Sequence, residues 1–228
     1  MIKRVLLGLA VAALAIPSAA NAQTLYDNGP ADFSNGFSTF SDAAVGVDRY
    51  GWDDFTVNST AGFGWAVDGF DFDYVYGGVP GAPGANGFIV EFYQGADPLT
   101  ASLVAAANVT GFTETATGDQ AFSRDVYSAS VDIDEISLAD GDYWVRATIA
   151  GNNAGETNAF WLITGDGNTT GSEGWWQSVD TGVFDTGTNA FGVTTDYNFR
   201  LRGVEKVPEP ASFAVLALGS VCLLRRRR

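Results

Sequence analysis

The chain has 228 residues, 46% of them apolar and 17% charged, and 27 acids against 12 cations leave a net charge of −15. It has no histidine, and its one cysteine is Cys222. That excludes a Ser-His-Asp triad, a Cys-His dyad, a His- or Cys-based zinc site and haem held by histidine, and leaves carboxylates for any catalysis.

The first 22 residues have the layout of a Sec-type signal peptide. Lys3-Arg4 is the charged start, Val5 to Ile16 the apolar stretch, and Pro17-Ser18 the break. Ala20 and Ala22 are the small residues a signal peptidase reads, with the cut before Gln23. The implied partners are the Sec translocon and the peptidase. The body beyond the cut, Gln23 to Lys206, is long enough for one domain with a sizeable core. Setting aside Lys3, Arg4, Arg225 to Arg228 and Glu209 leaves six cations against 26 acids, a net charge near −20. Such a field repels nucleic acid and favours counter-cations. Lys206 is the body's only lysine and lies at its end, so Ser-Lys catalysis is not expected.

Along the body, period-two alternation marks strands. Phe70, Phe72, Tyr74 and Tyr76 share one face, with Asp71 and Asp73 on the other. Gly77 to Gly87 is a long Gly- and Pro-rich loop. Phe88 to Tyr93 is a short strand, apolar except at Glu91. Ala101 to Ala107 has helical propensity, and Leu103 to Val109 also reads as a weak strand. Asp140-Gly141 marks a tight turn. Tyr143, Val145, Ala147 and Ile149 then alternate with Asp142, Trp144, Arg146 and Thr148. Gly151-Asn152-Asn153 is a second turn, Ala159 to Thr164 a buried strand, and Tyr197, Phe199 and Leu201 the apolar side of a closing strand. Weaker strands fall at Asp54 to Asn58, Asp125 to Ser130 and Gly174 to Val179. Eight to eleven such strands give an all-β fold, a single antiparallel β-sandwich of jelly-roll type. The expected division is 1–22 signal peptide, 23–204 sandwich and 205–228 sorting and anchor segment.

The chain ends on Val207-Pro208-Glu209-Pro210, an apolar run from Ala211 to Leu224, and Arg225-Arg226-Arg227-Arg228. As a single hydrophobic helix the run spans roughly 21 Å at ~1.5 Å per residue, short of a bilayer core of about 30 Å. Snorkelling arginines and local thinning extend its reach. Basic flanks at both ends stay inside, so the body between them is exported. Polar motif, greasy helix and terminal arginines in this order resemble the PEP-CTERM sorting signal of Gram-negative bacteria. The resemblance implies an exosortase as partner, a transient inner-membrane tether and transfer to the cell surface or exterior. Five stretches of the body, Leu25 to Pro30, Asp53 to Val57, Gly87 to Tyr93, Leu138 to Val145 and Asn198 to Leu201, are similar to a body type recurring among PEP-CTERM proteins. That similarity implies a sandwich with no assigned activity, and no catalytic residues come with it.

Three candidate sites stand beside their plainer explanations. Asp68, Asp71 and Asp73, and Asp132, Asp134 and Glu135, offer oxygen ligands but follow strand alternation, as the wet face of a sheet does. Asp166 with Asn168 lies in a loop able to hold one structural Ca²⁺, without EF-hand spacing. No other metal and no cofactor is expected. Trp175-Trp176 points to opposite faces if extended, so one ring is free to stack on a sugar while the other fills the core. Paired carboxylates support a glycoside hydrolase only if two acids face each other in a cleft, and the sequence names no such pair. The reading is a non-enzymatic, exported structural protein of the surface or extracellular matrix, associated with exopolysaccharide or biofilm. A carbohydrate-binding module is the first alternative and a carboxylate glycosidase the second.

Overall fold

The computed structural model describes residues 22–42, 46–76, 85–151, 159–164 and 171–207. The signal segment, the tail from Pro208, the Asn152-Asn153 turn, and Asp166 with Asn168 lie outside the described residues. The described chain folds as fourteen strands and one helix. The strands are β1 (Gln23–Asp27), β2 (Ala31–Ser38), β3 (Phe40–Asp42), β4 (Val47–Val57), β5 (Trp65–Tyr76), β6 (Ala85–Gln94) and β7 (Ser102–Val109). They continue with β8 (Thr113–Ala121), β9 (Arg124–Leu138), β10 (Gly141–Gly151), β11 (Ala159–Thr164), β12 (Trp175–Ser178), β13 (Val183–Thr186) and β14 (Phe199–Glu205). The helix α1 (Gly187–Phe191) is capped by the Thr186 hydroxyl, which accepts from the Asn189 amide, and is closed by Gly192 at φ 80.

The strands form two seven-stranded sheets. In the first, β5 pairs with β9 along one edge, and its other edge is shared end to end by β14 and β11. β1 extends β14, β2 extends β11, and β8 extends β9. The second runs β13-β12-β4-β3-β10-β6-β7, with β4 also pairing β10 directly. Among the described strands every pair is antiparallel except β3 with β10. The sheets pack face to face through one aromatic core, so the all-β sandwich is the observed architecture. Phe70 stacks on Phe199 at 5.5 Å and Phe72 on Phe88 at 4.8 Å. Tyr197 lies 4.4 Å from Trp161. Phe70, Phe72, Tyr74 and Tyr76 all face this core, as their spacing demands. Each fully buried apolar ring contributes roughly 1.5–3 kcal/mol.

Two expectations change. Ala101 to Ala107 is not helical: Ser102 to Ala107 belongs to β7. Ala105, Ala107 and Val109 pack on the core while β6 supplies the ladder, and that tertiary pairing outweighs alanine's helix propensity. The strands outnumber the expected eight to eleven, the additional ones being β1, β2, β3, β8 and β13. Their sequences, such as ADFSNGFS and TETATGDQA, are too polar and glycine-bearing to show clean alternation. Of the residues on the outward face of β10, Trp144 is buried under a second aromatic layer.

Gly51, on the inward face of β4, is required by close approach. A Cβ there would sit 2.7 Å from the Trp161 ring and 2.9 Å from the Tyr197 ring. Gly51→Ala is expected to lower stability by about 1–3 kcal/mol through overpacking, read as a lower denaturant midpoint with unchanged slope.

Candidate functional site

Three features of the folded unit bear on function: a buried carboxylate clamp, an aromatic outer face and the point where the chain leaves the fold. The clamp centres on Asp53, which alternation on β4 turns inward and which is fully buried. Its Oδ2 accepts from Asn28 Nδ2 at 2.9 Å and from the Tyr197 amide at 2.7 Å, and its Oδ1 from the Asp54 amide at 2.9 Å. Asn28 also donates to the Tyr197 carbonyl and accepts from the Tyr26 hydroxyl. One side chain of the second sheet thus holds the end of β1 and the approach to β14, both in the first. Burial pushes the Asp53 carboxyl well above its usual range, and the charges of Asp196 and Asp54 add to the shift. The two amide donors oppose it without cancelling it.

The outer face of the second sheet carries the residues of opposite parity. Across one row, Trp175 pairs with Trp52, Trp52 with Arg146, and Arg146 with Glu91. Trp52 lies 4.8 Å from Tyr93 and 5.8 Å, edge-on, from Phe184, and Trp175 stacks on Phe184 at 4.8 Å. Polar groups fix these rings. Trp52 Nε1 donates to Gln177 Oε1 at 3.0 Å, and Arg146 Nη1 meets Glu91 Oε2 at 2.7 Å. Tyr93 donates to the same Glu91 oxygen, and the Arg146 guanidinium lies 3.5 Å from the Tyr50 ring centre. Trp52 and Trp144 are buried within the layer, while Trp175, Tyr93 and Phe184 are half-exposed at its surface. At one end Asp54 and Asp142 share a shallow cavity of about 220 Å³ with Trp144 and Ser172. Asp54 accepts from the Ser172 amide at 2.9 Å, and Asp142 from the Thr56 hydroxyl at 3.0 Å. Burial first, with Asp142 adding, raises the Asp54 carboxyl to about 6.

The two candidate tryptophans separate as strand parity requires. Trp175 joins the outer layer. Trp176 turns inward, stacks against Phe37 and donates its Nε1 to the Ser38 carbonyl at 2.6 Å. Trp52 is one of the six tryptophans the sequence offers for stacking, but its partners Tyr93 and Phe184 escape a reading of the sequence because they lie on strands far apart in the chain. Asp71 and Asp73 occupy the first sheet's outer face, where Arg202 and Asn198 bind them. Among the described residues no group of three or more His, Cys, Asp or Glu side chains is arranged to hold a metal ion.

The last described strand ends beside the first described residues. Gln23 pairs with Gly203, three residues before the end of β14 is passed at Lys206. The Lys206 amide donates to the Gly64 carbonyl at 2.9 Å, and Val207 is 72% exposed. Ala22 and Gln23 are likewise exposed. Residues 206–228 match the model of the PEP-CTERM protein-sorting motif. The chain carries a PEP-CTERM sorting motif. The motif therefore starts where the last strand's hydrogen bonding stops. It makes the chain an exported protein, anchored at the membrane and then processed by an exosortase. No curated protein matches the chain. Among the described residues no helix is long and apolar enough to cross a membrane.

Asp53→Ala strands three N–H donors in the interior and is expected to cost about 3 kcal/mol or more, measured by chemical unfolding. Asp54 gives a pH signature. Its folded value of about 6 lies above the ordinary 3.8, so its contribution is fully present below 3.8 and is lost as pH rises to about 6. The loss of thermal stability across that window is expected to be smaller in Asp54→Asn.

Proposed function

We propose that the folded unit is a non-enzymatic structural component of the cell surface or extracellular matrix, within exopolysaccharide or biofilm. The observation that carries this is the sorting motif, matched from Lys206, which follows directly on Glu205, the last residue of β14. In this reading Met1 to Ala22 is a signal peptide removed before Gln23, and Ala211 to Leu224 is a single hydrophobic helix stopped by Arg225 to Arg228. Pro208 and Pro210 keep the motif extended, because proline fixes φ and disfavours helix at the residue before it. Glu209 is the side chain the exosortase reads. Because β1 starts beside the end of β14, both cuts fall at one end of one strand pair, and neither touches a described strand.

Replacing Pro208-Glu209-Pro210 by Ala-Ala-Ala tests the sorting part. The expected outcome is a precursor of undiminished C-terminal mass retained in the membrane fraction. Normal release at normal mass would rule the reading out.

A second reading, carbohydrate binding, is favoured by the half-exposed rings of Trp175, Tyr93 and Phe184 beside Asp54, Asp142 and Gln177. Planar rings stack on sugars, and flanking oxygens hold hydroxyls. Trp175→Ala is expected to abolish binding on a glycan array while leaving the unfolding midpoint within about 1 kcal/mol of the parent. Trp176→Ala, which empties a core position, is expected to lower that midpoint instead. An array on which the parent binds no glycan removes this reading.

A further inference from the structure

Most free edges of the two sheets are guarded against pairing with another chain. β1 is five residues long and loses register between Thr24 and Tyr26. β2 carries Asp32 and holds Phe33 at φ 58. β8 carries Glu114 and Asp119 and loses register between Ala116 and Gln120. β13 has four residues, one of them Asp185. The part of β9 beyond β8 carries Asp132, Asp134 and Glu135. Short, bulged or charged edges resist such pairing.

β7 has no charge in its eight residues, and it is the last strand of its sheet. After a bulge at Val104 it runs regularly along β6 from Ala105 to Val109. Its other edge therefore offers backbone N–H and C=O groups that no described strand takes up. Leu103 and Val104 are 54% and 46% exposed. Beside this edge lies a groove of about 560 Å³, bounded on one side by Ala106 and Asn108 and on the other by Asp134 and Ile136.

We propose that β7 is a self-association edge, where the run Ala105 to Val109 of one copy pairs antiparallel with the same run of a second copy about a two-fold axis. A two-fold contact must be complementary to itself. Identical faces of a body near −20 repel wherever they carry acids. Along β7, strand meets strand without a like-charge pair. Its outward side chains in this run, Ala106 and Asn108, face each other across the two-fold as uncharged cross-strand pairs. The second sheet then continues across both copies, a step toward the cohesion a matrix component needs. The acids flanking the groove fix the sign of the salt effect. They repel across the two-fold, so added salt strengthens the pair. The purpose given to this pairing rests on the matrix reading, but the pairing itself is measured independently of it.

The test is sedimentation velocity on the exported protein recovered from culture medium, over a range of concentrations, at ~0.05 M and ~0.5 M NaCl, across which the Debye length falls about three-fold. The expected result is a two-fold rise in mass with concentration, more pronounced at high salt. Ala106→Glu with Asn108→Glu, both at exposed positions, is expected to reduce the dimer at least ten-fold with the circular dichroism spectrum unchanged. Thr115→Glu on β8 is expected to leave it intact. Monomer under every condition, or a dimer that survives the double glutamate variant, overturns the proposal. So does a dimer weakened by salt and displaced by a lysine-alternating peptide, which would assign the edge to a cationic strand. None of these outcomes bears on how the tail is removed, so the sorting reading stands or falls separately.

Discussion

A single buried carboxylate sets the order of the terminal strands. Asp53 brings a charge-bearing group into an aromatic core, where it joins the Asn28 bonds to the Tyr197 and Phe199 carbonyls in holding the loop after β1. The cost of burying it is offset only if its oxygens are filled, and Asn28, Tyr197 and the Asp54 amide fill them. Those donors come from the N-terminal connection, the C-terminal approach and β4 itself. The clamp therefore links the two sheets where the chain enters and where it prepares to leave. Gly51 and the rings of Trp161 and Tyr197 close the space beside it.

The placement of the ends gives the sorting motif its mechanical context. β14 is held by β1 as far as Gly203 and by β5 as far as Glu205, the last residue before the motif. A protease cutting beyond Val207 leaves every strand and core residue of the described chain in place, because the last described strand, β14, ends at Glu205. Stability and processing are thereby separated. The polyanionic surface is compatible with this design because four of its arginines are committed locally. Arg49, Arg146, Arg200 and Arg202 each pair with an acid of the body. Little positive charge is left to attract nucleic acid or anionic lipid.

The outer face of the second sheet shows how a sandwich acquires a second aromatic layer. Trp52, Trp144 and Tyr50 are large enough to shield one another once Tyr93, Trp175 and Phe184 lean over them. Arg146 lies between Tyr50, Trp52 and Glu91, so its charge is balanced by a carboxylate and by ring faces together. Such a layer is held rigid by hydrogen bonds rather than by depth, and its rim remains accessible. A preorganised rim of this kind is what stacking recognition requires.

The sequence alone determined the all-β class, the core face of β5, the inward side of β10, the buried β11, and the sorting motif at the C-terminus. These are local signals. Alternation of Phe70, Phe72, Tyr74 and Tyr76 reports a face by geometry, and the motif is contiguous by nature. The polar strands β2 and β8 were not legible, because their pairing is imposed by neighbours rather than by their own residues. The alanine-rich β7 is ambiguous between helix and strand for the same reason. Only the tertiary structure decided which of the two rings, Trp175, joins the outer layer and which, Trp176, turns inward. Only it joined Trp52, Tyr93 and Phe184, and brought Asp53 to Asn28 and Tyr197 across 25 and 144 positions of chain. It also set Gln23 beside Gly203, so that both ends leave together. Contacts at such separations depend on strand order and register, which arise from closing the two sheets on one core and leave no trace in any short stretch of sequence.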